Sequence, residues 1–193
     1  MKKFLLITAF FICSAALFAE NERNFFGFQF ALGSGYTFYG DDNLKSNVSD
    51  TMNRGYARMI LYTDAGITLK LTDQLYFLGG FQTMFDFIWS GGDCTNHATP
   101  LFFAGLQFYP GIGDLSFSLA YALGVRHDWE DLNSRYRKID KTKWGNGFRL
   151  AVEYDFKKGK GIIPVVGASY IFLPTGYNNY DNTLAVYFRL AFH

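Results

Sequence analysis

Large apolar side chains alternate with small or polar ones along most of this chain. In the segment FGFQFALGSGYTF, residues 26–38, nearly every second position is bulky, and mostly small or polar residues stand between. A period of two residues predicts a β-strand whose two faces lie in different surroundings. The pattern recurs to the end of the chain and predicts eight strands, at residues 24–39, 56–71, 75–89, 101–109, 115–126, 144–156, 162–173 and 183–192.

The connections between these strands alternate in length. Three short ones carry turn residues, at 72–74, 110–114 and 157–161. Four long polar ones lie at 40–55, 90–100, 127–143 and 174–182. This alternation predicts an up-and-down meander with all the long loops at one end.

Volume decides which face of the strands points inward. The interior of an eight-stranded barrel is just filled by side chains or holds one small ligand. About five large apolar groups per strand would bring roughly forty into that space, which is too many. The Gly, Ala and Ser faces fit inside, so the bulky rows point outward. In water they would form an apolar band larger than monomers expose, and we therefore expect them to face lipid.

These arguments predict an all-β fold, an eight-stranded antiparallel up-and-down transmembrane β-barrel. Closure is required because no sheet edge can stay unpaired in hydrocarbon. Aromatic girdles are expected at both membrane interfaces. We place Trp89, Trp129 and Trp144 near the outer interface, and Phe25, Tyr76, Phe108 and Phe156 near the inner one.

The first residues have the composition of a secretory signal peptide. Lys2 and Lys3 precede an apolar run, and small residues follow up to Ala19. We expect residues 1–19 to be removed, with cleavage after Ala16 as the alternative, which leaves 20–193 as one barrel domain. Cys94 is then the single remaining cysteine, so no internal disulfide is expected. The formal charge of +1 gives no support for a nucleic-acid partner, and no cofactor motif is present.

Charged residues of both signs fall on the face predicted to point inward. They are Arg58, Asp64, Lys70, Asp86, Arg126, Arg149, Glu153 and Arg189. Buried charges must pair because a lone one is costly. The set therefore predicts a plug of ion pairs in a narrow lumen, and a gated conduit for small solutes is the alternative.

Several apolar residues share the inward face, mostly in the outer half of the barrel. They are Ile60, Met84, Ile88, Leu101, Phe103, Ile171 and Leu173. The functional interpretation is an apolar lumen pocket, and the alternative is ordinary packing beneath the loops.

Two of the predicted loops hold residue types that catalysis or metal binding would use. Ser90, Asp93 and His97 share one loop, and His127 with Asp128 begins another. A nucleophilic triad needs hydroxyl, imidazole and carboxylate in hydrogen-bond sequence, which proximity in a loop does not provide. The potential metal ligands near Cys94 are too few for a four-ligand site. We therefore expect neither an enzyme nor a metal site, with a lipid-modifying hydrolase as the least favoured alternative.

The last segment, LAVYFRLAFH, alternates sharply and carries an aromatic residue, Phe192, next to the end. With the eight strands, it makes the chain similar to the small outer-membrane barrels of the OmpA, OmpX and OmpW kind, including spirochaetal relatives. The resemblance implies the outer membrane of a Gram-negative-type, diderm bacterium, surrounding outer-membrane lipids, and recognition of strand 184–192 by the barrel assembly machinery.

The leading functional hypothesis is a structural and surface-interaction role. The four long loops, 40–55, 90–100, 127–143 and 174–182, are rich in Tyr, Asn and Asp, which suits contact with an extracellular ligand. The alternative is a narrow transport barrel for small, apolar solutes, as the resemblance to OmpW implies.

Overall fold

The computed structural model describes residues 25–132, 136–156, 161–176 and 179–192, and the predicted signal peptide lies outside them. Strands and one helix follow each other along the described chain. They are β1 (Phe26–Phe38), α1 (Asp42–Asn53), β2 (Ala57–Lys70), β3 (Leu75–Ser90), β4 (Asp93–Phe108), β5 (Leu115–Gly124), β6 (His127–Leu132), β7 (Tyr136–Lys141), β8 (Gly145–Asp155), β9 (Ile162–Gly176) and β10 (Asn179–Phe192).

Eight of these strands close into a ring. β1 pairs with β2 on one side and with β10 on the other, and the ring continues through β9, β8, β5, β4 and β3, with every pair antiparallel. A cross-strand row that starts at Phe26 passes through all eight strands and returns to β1 at Tyr36, ten residues further on. This stagger tilts the strands, as closure requires. The predicted eight-stranded antiparallel barrel is confirmed.

The two faces of the barrel wall differ as the alternation predicts. On β5, Leu119 is 60% exposed and its neighbour Ala120 only 1%. On β1, Phe28 is 58% exposed and Gln29 is 5% exposed. The bulky rows therefore form a continuous apolar band around the outside. Such a band fits hydrocarbon rather than water. Closure of the ring also meets the requirement of hydrocarbon that backbone polar groups be paired within the protein.

Small residues on the inner face make room for the few large side chains in the lumen. Tyr187 on β10 projects inward and is 2% exposed. A Cβ atom on Gly167 of the neighbouring strand would lie 2.7 Å from the Tyr187 ring. Glycine at this position is therefore a packing requirement of the narrow interior.

The outer end of the barrel is more regular than the sequence analysis predicts. The segment 40–55 contains α1, and 90–100 continues β3 into β4 through a tight turn at Gly91. Within 127–143, β6 and β7 pair as a hairpin, and residues 174–176 and 179–182 extend β9 and β10. Several strands therefore extend further at this end than predicted, because backbone pairing continues beyond the apolar band. No helix among the described residues is long and apolar enough to cross a membrane.

The β6–β7 hairpin branches from the barrel at β4. The lower part of β4 pairs with β5 from Leu101 to Phe108, and its upper part pairs with β6 from Cys94 to Ala98. β7 then pairs with β6 and lies at the end of this branch. The hairpin therefore extends the barrel wall on one side at the long-connection end.

One residue of the predicted inner girdle is misplaced. Tyr76 is 1% exposed and points into the barrel, whereas Phe108 and Phe156 are exposed on the outside. Side chains alternate between the two faces of a strand, and the outward residues of β3 have odd numbers, so Tyr76 lies on the inward face.

Candidate functional site

Two layers of charged side chains occupy the barrel interior, and the first lies in its middle. Arg149 on β8 and Arg189 on β10 both contact Oδ2 of Asp64 on β2, at 3.2 and 2.8 Å. Arg189 also donates to Oε1 of Glu153. All four residues are at most 3% exposed. Two cations and two anions balance in this middle tier, as their burial requires.

Polar neighbours join the middle tier to the surrounding wall. Nε of Arg149 donates to Oε1 of Gln82 on β3 at 3.1 Å. The hydroxyl of Tyr187 donates to Oε1 of Glu153 at 2.5 Å, and the Tyr187 ring stacks on Tyr62 with 5.0 Å between ring centroids. The network thus connects β2, β3, β8 and β10 across the lumen.

The second layer, the outer tier, lies towards the long-connection end. Arg58 holds Asp86 with two bonds, Nε to Oδ1 at 2.8 Å and Nη2 to Oδ2 at 2.6 Å. The hydroxyl of Tyr39 donates to the same carboxylate at 2.7 Å. Such a bidentate guanidinium–carboxylate pair fixes both side chains in one geometry.

Arg126 forms the other half of the outer tier. Its Nη1 donates to both carboxylate oxygens of Asp181, at 2.7 and 2.8 Å, and its Nε contacts Asp128 Oδ1 at 3.1 Å. The guanidinium also lies 5.5 Å from the centre of the Tyr39 ring, which connects the two halves. The outer tier therefore comprises three carboxylates, two arginines and a tyrosine.

Seven of the eight predicted inward charges lie in these two tiers, and Lys70 lies in neither. Its ammonium contacts Asp73 at 2.6 Å, near the short turn. Asp128 and Asp181 were not among the predicted inward charges. Asp181 was missed because the last strand was predicted to begin only at residue 183. If the two-residue period is continued to Asp181, this residue lies on the inward face of β10 with Arg189.

The seven apolar residues predicted for the lumen all belong to, or pack against, hydrophobic clusters of buried residues. They divide among three clusters, with Leu101, Phe103, Ile171 and Leu173 in the first, Ile60 and Met84 in the second, and Ile88 in the third. The third cluster also contains Val48 of α1 and Tyr39, so Ile88 is part of the contact that fixes the helix. The rings of Tyr62 and Tyr187 fill the second cluster.

His97 contacts Asp128 at the top of the outer tier. His97 is 2% exposed, and its Nδ1 lies 2.6 Å from Oδ1 of Asp128. Burial raises the pKa of Asp128, but the hydrogen bond from His97 and the charge of Arg126 outweigh it and hold that pKa below its ordinary value. Asp128 is therefore an acceptor, and Nδ1 of His97 donates to it. The other ring nitrogen, Nε2, has no hydrogen-bond partner among the described residues.

A cleft of about 360 Å³ opens above this pair. The first turn of α1 forms one wall and the inner face of the β6–β7 hairpin forms the other. The lining residues carry charges of both signs and amide groups, among them Asn43, Asn47, Glu130, Lys138, Asp140 and Lys141, and His97 and Arg126 also line it. We call this the outer cleft. It offers hydrogen-bond donors and acceptors around one opening.

Solved structures share this architecture. The attachment invasion locus protein Ail of Yersinia pestis, solved with the heparin analogue sucrose octasulfate, has a TM-score of 0.59 at 9% identity, covering 86% of this chain and 97% of Ail. The neisserial surface protein NspA has a TM-score of 0.51 at 12% identity, covering 86% of this chain and 96% of NspA. This chain has the fold of the small eight-stranded outer-membrane barrels. No protein-family model and no curated protein sequence matches it.

The apolar band and the fold together indicate a barrel that spans a membrane with its bulky rows in hydrocarbon. Its location in the outer membrane of a Gram-negative-type, diderm bacterium stays a prediction. Strand β10 closes the barrel by pairing with residues Phe28–Phe38 of β1. It ends at Phe192, whose side chain is 41% exposed on the outside. Recognition of strand 184–192 by the assembly machinery stays a prediction.

The residues considered for catalysis are only partly brought together. His97 and Asp128 make an imidazole–carboxylate pair, but Ser90 lies four positions along β3 from Asp86, the residue paired with His97. No hydroxyl within the described ranges contacts Nε2 of His97. Those ranges also contain no group of three His, Cys, Asp or Glu side chains that fits a metal ion, and Cys94 is a partly exposed free thiol on β4.

Proposed function

We propose that this outer-membrane barrel does not conduct solutes and acts by recognition at its outer surface. The observation that carries the proposal is the middle tier. Four buried charges, each in at least one ion pair, connect opposite parts of the wall, so a solute would have to break several charge-assisted hydrogen bonds to pass. Separating such a buried pair costs about 3–5 kcal/mol.

The transport alternative has less support. A conduit for apolar solutes would need a continuous apolar path, and the seven apolar lumen residues lie in three separate clusters. The second cluster also borders polar groups, because the hydroxyl of its Tyr62 donates to Oε1 of Gln82 next to the middle tier. A hydrolase has no supporting constellation, because no described hydroxyl reaches His97 Nε2.

The ordered outer end supports the recognition role. α1 and the β6–β7 hairpin hold the walls of the outer cleft at fixed positions, which lowers the entropic cost of binding. Because donors, acceptors and both charge signs line the cleft, we propose a ligand rich in hydroxyl groups, a saccharide. Ail, whose fold is similar, was solved with a heparin analogue, which makes a sulfated saccharide a useful second probe.

Conductance in planar bilayers tests whether the lumen is closed. We expect no stable current steps from the purified full chain. Removing one charge of each sign, in the double variant Arg149→Ser and Glu153→Ser, leaves the Arg189–Asp64 pair intact and should introduce current steps. A single change outside the tiers, Lys70→Ser, is the control. Stable steps from the unaltered protein would favour the transport alternative.

Saccharide binding tests the recognition role. We expect neutral oligosaccharides to bind with little competition from sucrose octasulfate. Removing the cross-strand pair Glu130 and Lys138 from the inner face of the hairpin should weaken binding by about tenfold or more, the effect of one lost charged hydrogen bond. Lys143→Ala, outside the cleft lining, is the matched control. If both variants bind oligosaccharide equally well, the outer cleft is not the saccharide-binding site.

A further inference from the structure

A second cleft, of about 250 Å³, adjoins the outer cleft further along α1. The two are neighbours because Leu44, Asn47 and Glu130 line both. Residues that line only the second cleft include Val48, Thr51, Arg54, Ile88 and Thr95. The two clefts together run from the β6–β7 hairpin to the end of the helix, and we call them the groove.

One wall of the groove is α1. The lining positions 44, 47, 51 and 54 recur at helical spacing, so they lie on one face of the helix. The outer cleft contacts the first half of the helix, and the second cleft contacts the rest. From residue 44 to residue 54 the chain rises by about 15 Å.

The opposite wall is a single cross-strand row. Ile88 on β3 pairs with Thr95 on β4, Thr95 pairs with Glu130 on β6, and Glu130 pairs with Lys138 on β7. Paired residues share a face, and Ile88 packs against Val48 of α1, so this face is turned towards the helix. Three steps between neighbouring strands measure about 14 Å. The two walls therefore agree in length.

The groove presents side chains rather than free backbone groups. Strand pairing uses the backbone of β3, β4 and β6 at these positions, and helical hydrogen bonds use that of α1. An extended peptide binds through the free backbone groups of a sheet edge, so the groove offers it little to pair with. The hydroxyl groups of a saccharide bind to carboxylate, amide and hydroxyl side chains, which Glu130, Asn47 and Thr95 provide.

Glu130 lies where the two clefts meet. Its side chain is half-buried and makes no hydrogen bond or ion pair within the part of the chain that the structure describes. Its cross-strand neighbour Lys138 contacts Asp140 instead, at 3.8 Å. Asn47 on α1 is exposed, lines the same junction and offers both a donor and an acceptor. The middle of the groove therefore has hydrogen-bonding groups that are available to a ligand.

We propose that the groove binds a neutral, linear oligosaccharide of several units that lies along α1. This proposal deepens the saccharide-binding role proposed above and rests on it. Glu130 and Asn47 bind the middle of the sugar chain, the hairpin residues of the outer cleft bind one end, and Thr95 and Arg54 bind the other. The groove is longer than one sugar ring, and the charges of both signs along it favour no net charge on the ligand.

The dependence of affinity on chain length tests the proposal. The probes are two-unit and five-unit members of the cello-, chito- and malto-oligosaccharide series, titrated against the full chain in detergent micelles. We expect the five-unit member of a series that binds to bind at least about tenfold more tightly than its two-unit member, because only the longer chain reaches the second cleft.

Thr95→Tyr fills the second cleft from the strand wall and leaves the outer cleft open. It should lower the affinity for the five-unit probe to that for the two-unit probe, and the two-unit affinity should not change. Asn96→Tyr is the matched control, because Asn96 pairs with Phe87 and Trp129 on the opposite face of the same strand. Heat-modifiable mobility on gels shows that each variant is folded.

Thr51→Tyr repeats the test from the helix wall, with the exposed Ser49→Tyr as its control. The proposal is overturned if affinity does not depend on chain length. It is also overturned if both filled variants bind the five-unit probe as the unaltered protein does, or lose both probes equally. In these cases the outer cleft can still bind a short saccharide. If no probe binds to the unaltered protein, the proposed saccharide-binding role fails as well.

Discussion

In the barrel wall, each strand has an apolar outer face and a small or polar inner face, and the pattern repeats around eight strands. At the outer end the same chain forms α1, a tight turn at Gly91 and the β6–β7 hairpin, held by charged contacts such as Arg126 with Asp128. The surrounding lipid determines the regular structure of the wall, because no backbone N–H or C=O group can stay unpaired in hydrocarbon. The outer end has water available, so side-chain contacts decide its shape.

The lumen joins the two regions. Its middle tier is buried as deeply as a protein core, whereas the outer tier lies beneath the cleft and reaches it through Arg126. The difference indicates that changes in the middle tier should affect the whole barrel, and changes above it should affect only the outer end. The expectations below test that division, from the largest effect to the smallest.

Asp64→Asn should have the largest effect. This carboxylate accepts from both Arg149 and Arg189, so the change leaves two buried guanidinium groups with one anion. We expect the free energy of unfolding to fall by about 3–5 kcal/mol, as measured by urea titration of the reconstituted barrel. Asp73→Asn, near the short turn and 38% exposed at the side chain, should change it by less than about 1 kcal/mol.

Leu119→Arg tests the facing of the wall. Leu119 is 60% exposed on the outside and lies near the middle of β5, so a charge there would enter hydrocarbon. The expected loss of stability is about 2–4 kcal/mol in the same urea titration. Thr63→Val, on the same outward face, should be neutral or stabilising. Equal effects of the two changes would mean that the assigned faces are wrong.

Asp128→Asn should loosen the outer end and spare the wall. The carboxylate holds both His97 and Arg126. We expect opening of the β6–β7 hairpin to become easier by about 1–2 kcal/mol, seen as roughly tenfold faster amide exchange there with unchanged exchange in β5. Asp140→Asn, on the neighbouring strand and exposed, is the control. Faster exchange throughout the barrel would contradict the division between the regions.

Asp41→Ala should destabilise α1 alone. The Asp41 side chain caps the helix by accepting from the backbone N–H groups of Asn43 and Leu44, at 2.9 and 3.1 Å. Loss of such a cap costs about 1 kcal/mol, which should accelerate amide exchange in the helix. Asp41→Asn retains a capping oxygen and should exchange almost as slowly as the unaltered protein. A helix indifferent to both changes would show that Val48 packing alone fixes it.

Acid should weaken the hairpin through Asp128. Its pKa is lowered in the folded protein, so its contribution is complete above the unfolded value of about 3.9 and is lost as pH falls through the lower folded value. We expect a spin label at position 140 to become more mobile below about pH 4. The Asp128→Asn variant should show the higher mobility already at neutral pH and no such transition.

Much of the site was accessible from the sequence, because parity assigns a side chain to the lumen without any knowledge of its partner. Arg149, Glu153 and Arg189 were placed inward on that basis, and the structure adds that Asp64 is the shared acceptor. The partners could not be predicted, since they come from strands up to 125 residues apart. His97 was considered for its chemistry, but its contact with Asp128 depends on the branching of β4.

The amino-acid sequence alone determined the wall of this protein, its strand number, its antiparallel order and the face that meets lipid. A two-residue period in hydrophobicity contains that information, because hydrocarbon and a narrow lumen each accept only one kind of side chain. Only the tertiary structure decided the outer end, where polar segments have no such periodic constraint. There α1 and the β6–β7 hairpin take their positions from Val48 against Ile88 and from Asp128 against His97, contacts between residues distant in the sequence.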